Sequence, residues 1–504
     1  MISPPLTVER HDLLIVGGGI NGCGIARDAA GRGLKVLLCE QDDLASHTSS
    51  ASTKLIHGGL RYLEQYEFGL VRKALQEREV LLAMAPHIMW PLRFVLPHDS
   101  HLRPAWMIRA GLVLYDHLAR RHRLPGSFKV ELADHPAGAS LVAGFRTGFE
   151  YSDGWVDDAR LVVLNAVDAR ERGATVLTRT RCETLQRDGD GWRATLRGRD
   201  GGVVALHARA VVNATGPWAA QFLREGTPVR SANGVRLVKG SHIVVPRMFA
   251  HPYAYIFQGP DGRIVFAIPY EQDFTLIGTT DVDHPGEAGA VSITDEETRY
   301  LCAMAARYFR QRISPDDVVW SYAGLRPLLS DRSADAPSVT RDYALELDRS
   351  GPPLLSVFGG KITTYRRLAE EVVDRLADVL GRQAQAWTAG ALLPGGDLPD
   401  GNFDTFAAEC GARWPWLPGP LLLRMAHAYG SRMSRMLGDC AGLEDLGEQI
   451  APGLYERELA YLCQHEWAVM ADDILWRRSK LGLRSRPEDA GRIDDWLARN
   501  TGGG

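Results

Sequence analysis

A short apolar segment followed by three spaced glycines, close to the N-terminus, constrains the fold of this chain more than any other feature. The segment Leu13–Val16 is apolar and is bounded by glycine, as expected for a buried parallel strand. Gly17, Gly19 and Gly22 follow it in the order G-x-G-x-x-G. Small and apolar residues then continue over Ile20–Ala30 with helical spacing. This order predicts a strand, a tight turn and a helix whose N-terminus faces a phosphate group.

A second buried strand completes the unit and indicates the class of ligand. Val36–Cys39 is apolar and is followed directly by Glu40. In a dinucleotide site, an acid about 20 residues beyond the glycines binds the ribose hydroxyls. Gly17 permits the tight turn, Gly19 lets the backbone approach a diphosphate, and Gly22 lets the helix pack on the sheet. We therefore expect a cofactor that contains ADP, either NAD(P) or FAD.

The segment after Glu40 favours FAD over a nicotinamide cofactor. Residues 41–64 are rich in Ser, Thr and Gly, and Lys54, His57 and Arg61 lie among them. A nicotinamide-dependent dehydrogenase usually continues directly into a third crossover unit of its sheet. Hydroxyls and glycines indicate instead a loop and helix start that cover a long buried cofactor. For Thr48–Thr53 alone, a solvated serine-rich loop remains the alternative.

Length and composition limit the remaining possibilities. A chain of 504 residues exceeds a single domain, so we expect two or three. The formal net charge of −4 gives no reason to expect nucleic-acid binding. Seven scattered cysteines without a C-x-x-C pair indicate a reducing compartment, and we expect no metal site. With no signal-peptide pattern and no long apolar run, we expect a cytosolic protein or one attached to the membrane's cytosolic side.

Eight sequence runs carry a resemblance to one known family. They are SSASTKLIHGGLRYLE, EYSDGWVDDARLV (150–162), NATGPW (213–218), KGSHIVVP (239–246), IGTTDV (277–282), GLRPL (324–328), TRDY (340–343) and FGGKITTYR (358–366). With them the chain resembles the aerobic, FAD-dependent sn-glycerol-3-phosphate dehydrogenases. The similarity extends from His11 into the C-terminal third and is weakest over residues 383–460.

The resemblance implies a fold and a division into domains. The expected fold is α/β with an α+β substrate domain, similar to the FAD-binding fold of glutathione reductase and D-amino-acid oxidase. It has an antiparallel substrate sheet and a helical C-terminal domain. The expected ranges are 11–78, 149–233 and 331–380 for the FAD-binding domain, 79–148 and 234–330 for the substrate domain, and 390–500 for the helical domain.

The resemblance also implies an activity. It is the oxidation of sn-glycerol 3-phosphate to dihydroxyacetone phosphate by hydride transfer to FAD, with electrons passed to ubiquinone or menaquinone in the membrane. A homodimer through the helical domain is implied as well. Three alternatives remain open: a glycerol-3-phosphate oxidase that uses O2, an amino-acid or amine oxidase of the same fold, and a non-catalytic flavin-binding assembly protein.

Basic residues in turn-flanked motifs suit a phosphorylated substrate. A phosphomonoester carries nearly two negative charges, so a buried pocket for it needs guanidinium or ammonium groups. By resemblance, Arg326 and Arg341 bind the phosphate, with the Tyr62 hydroxyl nearby. Arg61 and Lys361 are expected between substrate and flavin, where positive charge stabilises a reduced, anionic flavin. Each of these cations, taken alone, could instead form an ordinary ion pair.

Two histidines are candidates for the catalytic base. His242 is the best candidate, because histidine titrates near neutral pH, and His57 competes with it. Asp281 is expected to orient one of these groups or to cap a turn. The residues expected to bind the cofactor are Gly17, Gly19, Gly22, Glu40, Ser49, Ser50, Lys54, His57, Ala214, Gly216, Gly359, Gly360 and Lys361.

One segment suggests how the protein meets a membrane. Residues 101–129 combine a crowd of apolar side chains, Trp106 and Leu114 among them, with five arginines and one lysine against a single acid. This mixture predicts a helix that lies in the bilayer interface on anionic head groups. The alternative is a core helix with a charged end. A second basic run, Trp476–Arg484, is expected to be a solvated helix end.

Overall fold

The computed structural model describes residues 9–99, 103–330, 342–381 and 385–501, which form two β-sheets and a C-terminal unit. The strands are β1 (Arg10–Val16), β2 (Val36–Cys39), β3 (Leu55–Ile56), β4 (Met89–Pro97), β5 (Phe128–Glu131), β6 (Thr147–Val156), β7 (Thr175–Leu177), β8 (Thr180–Asp188), β9 (Gly191–Gly198), β10 (Val203–Asn213), β11 (Gly234–Pro246), β12 (Ala254–Gln258), β13 (Ile264–Tyr270), β14 (Phe274–Gly278), β15 (Val282–His284), β16 (Trp320–Ser330), β17 (Ala344–Asp348), β18 (Leu354–Phe358), β19 (Gln449–Ala451) and β20 (Leu454–Tyr455). The α-helices are α1 (Ile20–Gly31), α2 (Phe68–Met84), α3 (Ala105–His117), α4 (Asp158–Glu171), α5 (Ala219–Gly226), α6 (Asp295–Tyr308), α7 (Tyr365–Leu380), α8 (Phe403–Arg413), α9 (Gly419–Tyr429), α10 (Met433–Leu437), α11 (Glu456–Glu466) and α12 (Pro487–Thr501).

The first sheet contains the predicted strand–helix–strand unit, which is confirmed. Its central order is β17-β18-β10-β1-β2-β7, and β8 and β9 extend it from β10. Strand β1 runs parallel to β2 and β10. Alternate β1 side chains enter opposite cores: Leu13 and Ile15 pack on the side of α1, and Leu14 and Val16 on the other. Both faces of this strand are therefore buried, which explains its continuous apolar sequence.

The second sheet has ten strands and is mainly antiparallel, as expected for the substrate domain. Its main order is β15-β11-β14-β13-β12-β4-β6-β3, with β16 paired to β11 and β5 to β6. An aromatic core that includes Tyr255, Tyr308 and Phe309 forms between this sheet and α6. A second core on the sheet includes Tyr115 of α3 and Leu75 of α2. The sheet is thus covered by helices from two separate parts of the chain.

Two short stretches of the expected FAD-binding domain lie in the other sheet, which corrects the expected ranges. Strand β6 was expected from residue 149 onward in the cofactor domain, but it pairs with β3, β4 and β5 of the second sheet. Strand β3, inside the expected range 11–78, joins it there. Nine of the ten β6 residues are buried. A strand that is buried on both faces lacks an alternation of apolar and polar residues, so its sequence does not show which sheet it joins. The rest of the expected division stays a prediction.

The C-terminal unit is built from α8–α12 around its own apolar core, as expected for a helical domain, and it also contains a small hairpin, β19–β20. It docks on α4, whose residues from Asp158 to Ala169 are all buried. Arg160 of α4 donates hydrogen bonds to both Glu466 carboxylate oxygens and to the Ala428 carbonyl. Helix α4 therefore packs in the core of the first sheet through its apolar residues and holds the C-terminal unit through Arg160.

The basic run Trp476–Arg484 was wrongly expected to be solvated. Arg478 is fully buried, Lys480 is also buried, and Arg477 is only partly exposed. The Trp476 ring stacks on Trp320 of the second sheet with 4.3 Å between ring centroids. Asp43, which pairs with Arg477 and Arg478, and Asp157, which pairs with Lys480, lie hundreds of residues away in the sequence, so the run alone gave no sign of them.

Helix α3 carries the apolar segment of residues 101–129 and leaves much of it uncovered. Trp106 is 70% exposed, and Met107, Val113 and Leu114 are 36–40% exposed. Leu112 and Tyr115 on the inner side are buried. Among the described residues, no helix combines the length and apolar character needed to cross a bilayer.

Candidate active site

A cavity of about 1020 Å³ lies between the two sheets. The first sheet and α1 contribute the glycine turn and Glu40 at one end. The second sheet and the turn after β18 contribute cations at the other, among them Arg326 and Lys361. Of the residues expected at the site, those that line the cavity are Gly17, Gly19, Glu40, Ser49, His57, Arg61, Tyr62, Ala214, Gly216, Arg326, Gly359, Gly360 and Lys361.

The glycine turn packs so closely that side chains are excluded at two of its positions. Gly17 has φ of +114°, and a Cβ atom there would lie 2.5 Å from the Ala214 carbonyl oxygen. A Cβ atom on Gly22 would lie 1.9 Å from the Gly17 carbonyl oxygen. Gly19 is different, because a Cβ atom there would meet only the Ser49 hydroxyl, at 3.1 Å. The backbone at Gly19 is therefore open to the cavity, as a diphosphate-binding turn requires.

Glu40 lies at this end of the cavity, where backbone N–H groups hold its carboxylate. Its carboxylate accepts hydrogen bonds from the backbone N–H groups of Gly18 at 2.6 Å and Asp42 at 2.9 Å. Burial raises the pKa of the Glu40 carboxyl, and these two N–H groups oppose the rise. The Ser49 hydroxyl accepts a hydrogen bond from the Ile20 N–H, one of the free donors at the start of α1. Polar groups at the end of β2 and at the start of α1 therefore lie together at this end of the cavity.

The cations at the other end face the cavity with few partners that restrain them. Arg326 donates to Asp281 at 2.8 Å and to the Thr279 hydroxyl at 2.8 Å, and its side chain is 36% exposed. The Lys361 ammonium lies 4.1 Å from the centre of the Tyr62 ring. An exposed ion pair such as Arg326–Asp281 contributes little stability, so a phosphate can replace Asp281 at small cost.

Two consecutive glycines place Lys361 beside the start of α1. Gly359 and Gly360 have φ of +78° and +100°, which favours glycine at both positions. The Asn21 side chain donates to the Gly359 carbonyl at 3.3 Å. A Cβ atom on Gly360 would lie 2.8 Å from the Asn21 amide nitrogen. This turn joins the cation end of the cavity to the helix of the glycine turn.

The expected base, His242, is not among the described residues that line the cavity. Its Nε2 lies 3.0 Å from the Thr53 hydroxyl, and Thr53 does line the cavity. The His242 ring stacks on Tyr322 with centroids 4.7 Å apart. Burial lowers the pKa of His242 well below its ordinary value, and the charges of Arg326 and Lys54 lower it further. His242 is therefore neutral at neutral pH and reaches the cavity through Thr53.

The rival histidine, His57, does line the cavity. Burial lowers its pKa, Lys361 and Arg78 lower it further, and Asp153 opposes them. Asp153 also accepts hydrogen bonds from the Gly58 N–H, the Tyr115 hydroxyl and the Arg78 guanidinium. This buried acid fixes the turn that leads to Arg61 and Tyr62.

Two further expected residues, Lys54 and Ser50, are absent from the described lining of the cavity. Lys54 is 1% exposed, pairs with Asp158 at 2.8 Å and is not among the described residues that line the cavity. Ser50 donates to the His47 carbonyl at 3.3 Å and is also absent from that lining. Arg341 lies outside the described residues. The partner of Lys54 is on α4, more than one hundred residues away, which is why the local sequence misled.

Sequence reasoning missed Thr53 and Thr279 as site residues, although both lie in runs that carry the family resemblance. Thr53 lies between the buried His242 and the cavity, whereas the Thr279 hydroxyl accepts a hydrogen bond from Arg326, which itself lines the cavity. Both threonines contact a charged or titratable residue in the folded chain. The spacing of residues in the sequence does not reveal these contacts.

The residues present fit FAD. Gly19 and the start of α1 would bind the diphosphate, and Glu40 would bind the ribose. Gly360 and Lys361 would lie beside the flavin ring, where a cation stabilises negative charge on it. The cavity is continuous from the glycine turn to these cations, so one long ligand can occupy both ends.

Two family models match the chain. Residues 12–366 match the model described as FAD dependent oxidoreductase. Residues 386–494 match the model described as the C-terminal domain of alpha-glycerophosphate oxidase. The two matches together include both sheets and most of the C-terminal unit.

Named proteins and a solved structure show the same similarity. A glycerol-3-phosphate dehydrogenase of Pseudomonas aeruginosa is 54% identical over 98% of this chain and 96% of its own length. A D-erythritol 1-phosphate dehydrogenase of Brucella abortus is 48% identical over 97% of this chain and 98% of its own. The crystal structure of a glycerol-3-phosphate dehydrogenase from Bacillus halodurans, complexed with FAD, superposes with a TM-score of 0.79 at 28% identity, covering 98% of this chain and 91% of that one.

The close contact at Gly22 generates a prediction. Gly22→Ala places a methyl group against the Gly17 carbonyl and should weaken FAD binding about tenfold or more, since overpacking of this kind costs about 1–3 kcal/mol. The measurement is the FAD dissociation constant of the apoprotein by flavin fluorescence. Gly69→Ala is the control, because a Cβ atom on Gly69 meets nothing within 4 Å. Equal FAD affinity in the two variants would contradict the assignment of the turn.

Proposed function

The chain belongs to the FAD-dependent oxidoreductase family that includes the glycerol-3-phosphate dehydrogenases, and from this we propose that it oxidises sn-glycerol 3-phosphate to dihydroxyacetone phosphate. One observation carries the proposal: Arg61, Arg326 and Lys361 line the cavity that also holds the glycine turn. A phosphorylated three-carbon alcohol is a small ligand that needs several cations and a nearby redox cofactor.

In the proposed mechanism the cations bind and orient the substrate. Arg326 exchanges its contact with Asp281 for the phosphate, while Thr279 keeps the guanidinium plane in place. The planar fork of arginine suits a phosphate because it donates two parallel hydrogen bonds. Arg61 and Tyr62, on the turn held by Asp153, close the site around the carbon chain. Orientation by fixed groups of this kind lowers the barrier to the chemical step.

The oxidation breaks the C–H and O–H bonds of the substrate's secondary alcohol, which becomes a ketone as two electrons and two protons leave. FAD, when bound, would supply the acceptor for the two electrons and the C–H hydrogen, which leave together as a hydride. Lys361 places a positive charge where negative charge develops. We assign the hydroxyl proton to His242 through Thr53, since the lowered pKa of His242 keeps its ring neutral and able to accept. His57 on the cavity wall remains the alternative acceptor.

A longer polyol phosphate is a second candidate substrate. The Brucella relative, named for D-erythritol 1-phosphate, is 48% identical over nearly the whole chain. A four-carbon substrate would present the same phosphate to Arg326 and the same class of secondary alcohol to the cofactor. The two candidates therefore differ in the room required beyond the reacting carbon, and steady-state comparison separates them.

We propose a membrane quinone as the electron acceptor and an interfacial attachment through α3. Trp106 and Val113 are seven residues apart, as are Met107 and Leu114, so each pair lies on one side of the helix and the two pairs occupy adjacent, exposed sides. Tyr66 is 79% exposed and its ring lies 6.1 Å from that of Phe68, which adds to the apolar surface.

The inner side of α3 connects to the site. The Tyr115 hydroxyl accepts a hydrogen bond from the Gly58 N–H at 2.9 Å, in the turn that leads to Arg61. Arg103 and Arg109 at the start and middle of the helix add positive charge near its exposed face, suited to anionic head groups. A lipid-soluble quinone would then meet the protein close to its redox cavity.

Anaerobic titration tests the proposed function. Added sn-glycerol 3-phosphate should bleach the flavin absorbance of the holoenzyme at one equivalent, and a water-soluble quinone should restore it quickly. Air should restore it slowly, whereas fast reoxidation by air would indicate an oxidase. Glycine and sarcosine serve as controls for the amine-oxidase alternative. Absorbance that is not bleached by the phosphorylated substrate would refute catalysis of this reaction.

Substitution of Arg326 tests the phosphate site. Arg326→Gln should lower kcat/KM for sn-glycerol 3-phosphate by about 10- to 100-fold, because hydrogen bonds to a charged group contribute about 1.5–3 kcal/mol. Steady-state kinetics with a quinone acceptor measures the loss. Arg181→Gln is the matched control, since Arg181 lines the cavity but lies on β8 near the ribose end. Equal losses in the two variants would contradict a phosphate site at Arg326.

Membrane attachment is tested with liposomes. The double variant Trp106→Ser/Leu114→Ser should bind anionic phospholipid vesicles more than about tenfold less tightly, because each apolar side chain contributes about 1.5–3 kcal/mol when buried. Co-sedimentation measures binding. Val203→Ser/Val204→Ser is the control, because these valines are 52% and 59% exposed on the first sheet. Unchanged sedimentation of the α3 variant would show that the helix is not the attachment site.

A further inference from the structure

A buried carboxylate three residues after Glu40 is held by arginines of the C-terminal unit. Asp43 forms a two-pronged pair with Arg478, at 2.5 and 2.7 Å, and a third bond with Arg477 at 2.6 Å. Arg478 and Asp43 are 0% and 1% exposed at their side chains. Burial alone would raise the pKa of Asp43, but the two guanidinium groups hold it below its usual value. The contact joins residues 435 positions apart.

The loop that carries Asp43 forms part of the cavity wall at the ribose end. The Asp43 carbonyl accepts hydrogen bonds from the Ser46 N–H at 3.2 Å and the Ser46 hydroxyl at 2.7 Å. The Ala45 N–H donates to the Gly18 carbonyl at 3.2 Å, inside the glycine turn. Ala45, Ser46 and His47 all line the cavity. Movement of Asp43 would therefore displace both the wall and the turn.

The arginines are themselves fixed within the C-terminal unit. Arg478 donates twice to the Glu466 carbonyl, at 3.1 and 2.6 Å. Arg477 donates to Asp473 at 2.5 Å, and Arg179 at the start of β8 donates to the same carboxylate at 2.7 Å. The Arg179 N–H also donates to the Asp42 carbonyl at 2.7 Å, in the same loop as Asp43. This buried network of charged residues therefore holds the loop at two adjacent residues, Asp42 and Asp43.

We propose that Arg478 is a positioning residue for the cofactor: through Asp43 it holds the loop after Glu40, so that the C-terminal unit sets the affinity of the protein for FAD. A carboxylate this buried needs its cations, and without Arg478 the Asp43 carboxylate keeps only the partly exposed Arg477 contact and Arg179 at 3.8 Å, so most of the compensation of its charge is lost. Without Arg478 the loop rearranges to hydrate Asp43, and the ribose end of the cavity loses its shape. The C-terminal unit then contributes to cofactor retention without touching the cofactor.

A second buried arginine provides the control. Arg160 grips the same C-terminal unit through the Glu466 carboxylate and the Ala428 carbonyl, yet it has no contact with residues 40–47 among its described hydrogen bonds. Arg160→Met should therefore loosen the docking of the unit as Arg478→Met does, without freeing the loop. Arg478→Lys keeps the charge but loses the fork, and should have an intermediate effect.

The experiment compares FAD affinity with stability in the same proteins. The dissociation constant of FAD is measured on each apoprotein by flavin fluorescence, and the unfolding temperature by circular dichroism. Arg478→Met should raise the dissociation constant at least about tenfold, and Arg160→Met less than about twofold at a comparable loss of unfolding temperature. If both raise it in proportion to lost stability, Arg478 is only a structural residue and the proposal fails. Should Arg478→Met not fold, Arg477→Gln, at the partly exposed second contact to Asp43, must raise the dissociation constant, and an unchanged value overturns the proposal.

Discussion

The contact of the glycine turn with the end of β10 is the constraint on which the rest of this structure depends. No side-chain carbon fits between Gly22 and the Gly17 carbonyl, or between Gly17 and the Ala214 carbonyl. Helix α1 is therefore fixed with its N-terminus open to the cavity, and Glu40 at the end of β2 faces the same space. We therefore expect this backbone packing to set the position of FAD before any side chain selects the ligand.

The substrate end of the cavity depends instead on its cations and on the space that is left around them. Arg326 comes from a strand of the second sheet, Lys361 from the turn after β18 in the first, and Arg61 from the turn before α2. No one element supplies this charge, so the site exists only where the two sheets meet. Asp281 offsets part of it in the free protein, through a contact exposed enough for a phosphate to replace.

The sequence was sufficient for features whose physical cause is local. The β1–α1–β2 unit was predicted because strand, glycines and helix follow one another within thirty residues. It was not sufficient for the sheet that β6 joins, for the burial of Arg478, or for the pairing of Lys54 with Asp158. The two ion pairs join residues 104 and 435 positions apart, β6 pairs with three strands that precede it in the chain, and side-chain type alone does not identify such partners. The sequence identified His242 as a candidate base, but it did not show that Thr53 lies between His242 and the cavity.

The central claim is that one cavity holds FAD at the glycine turn and a phosphorylated alcohol at the cations. A crystal structure of the FAD-loaded protein soaked with sn-glycerol 3-phosphate under anaerobic conditions tests it most directly. We expect the ribose beside Glu40, the flavin ring beside Lys361, and the substrate phosphate on Arg326 with Asp281 displaced. A phosphate bound away from Arg326, or a flavin ring at the opposite end of the cavity, would contradict the account.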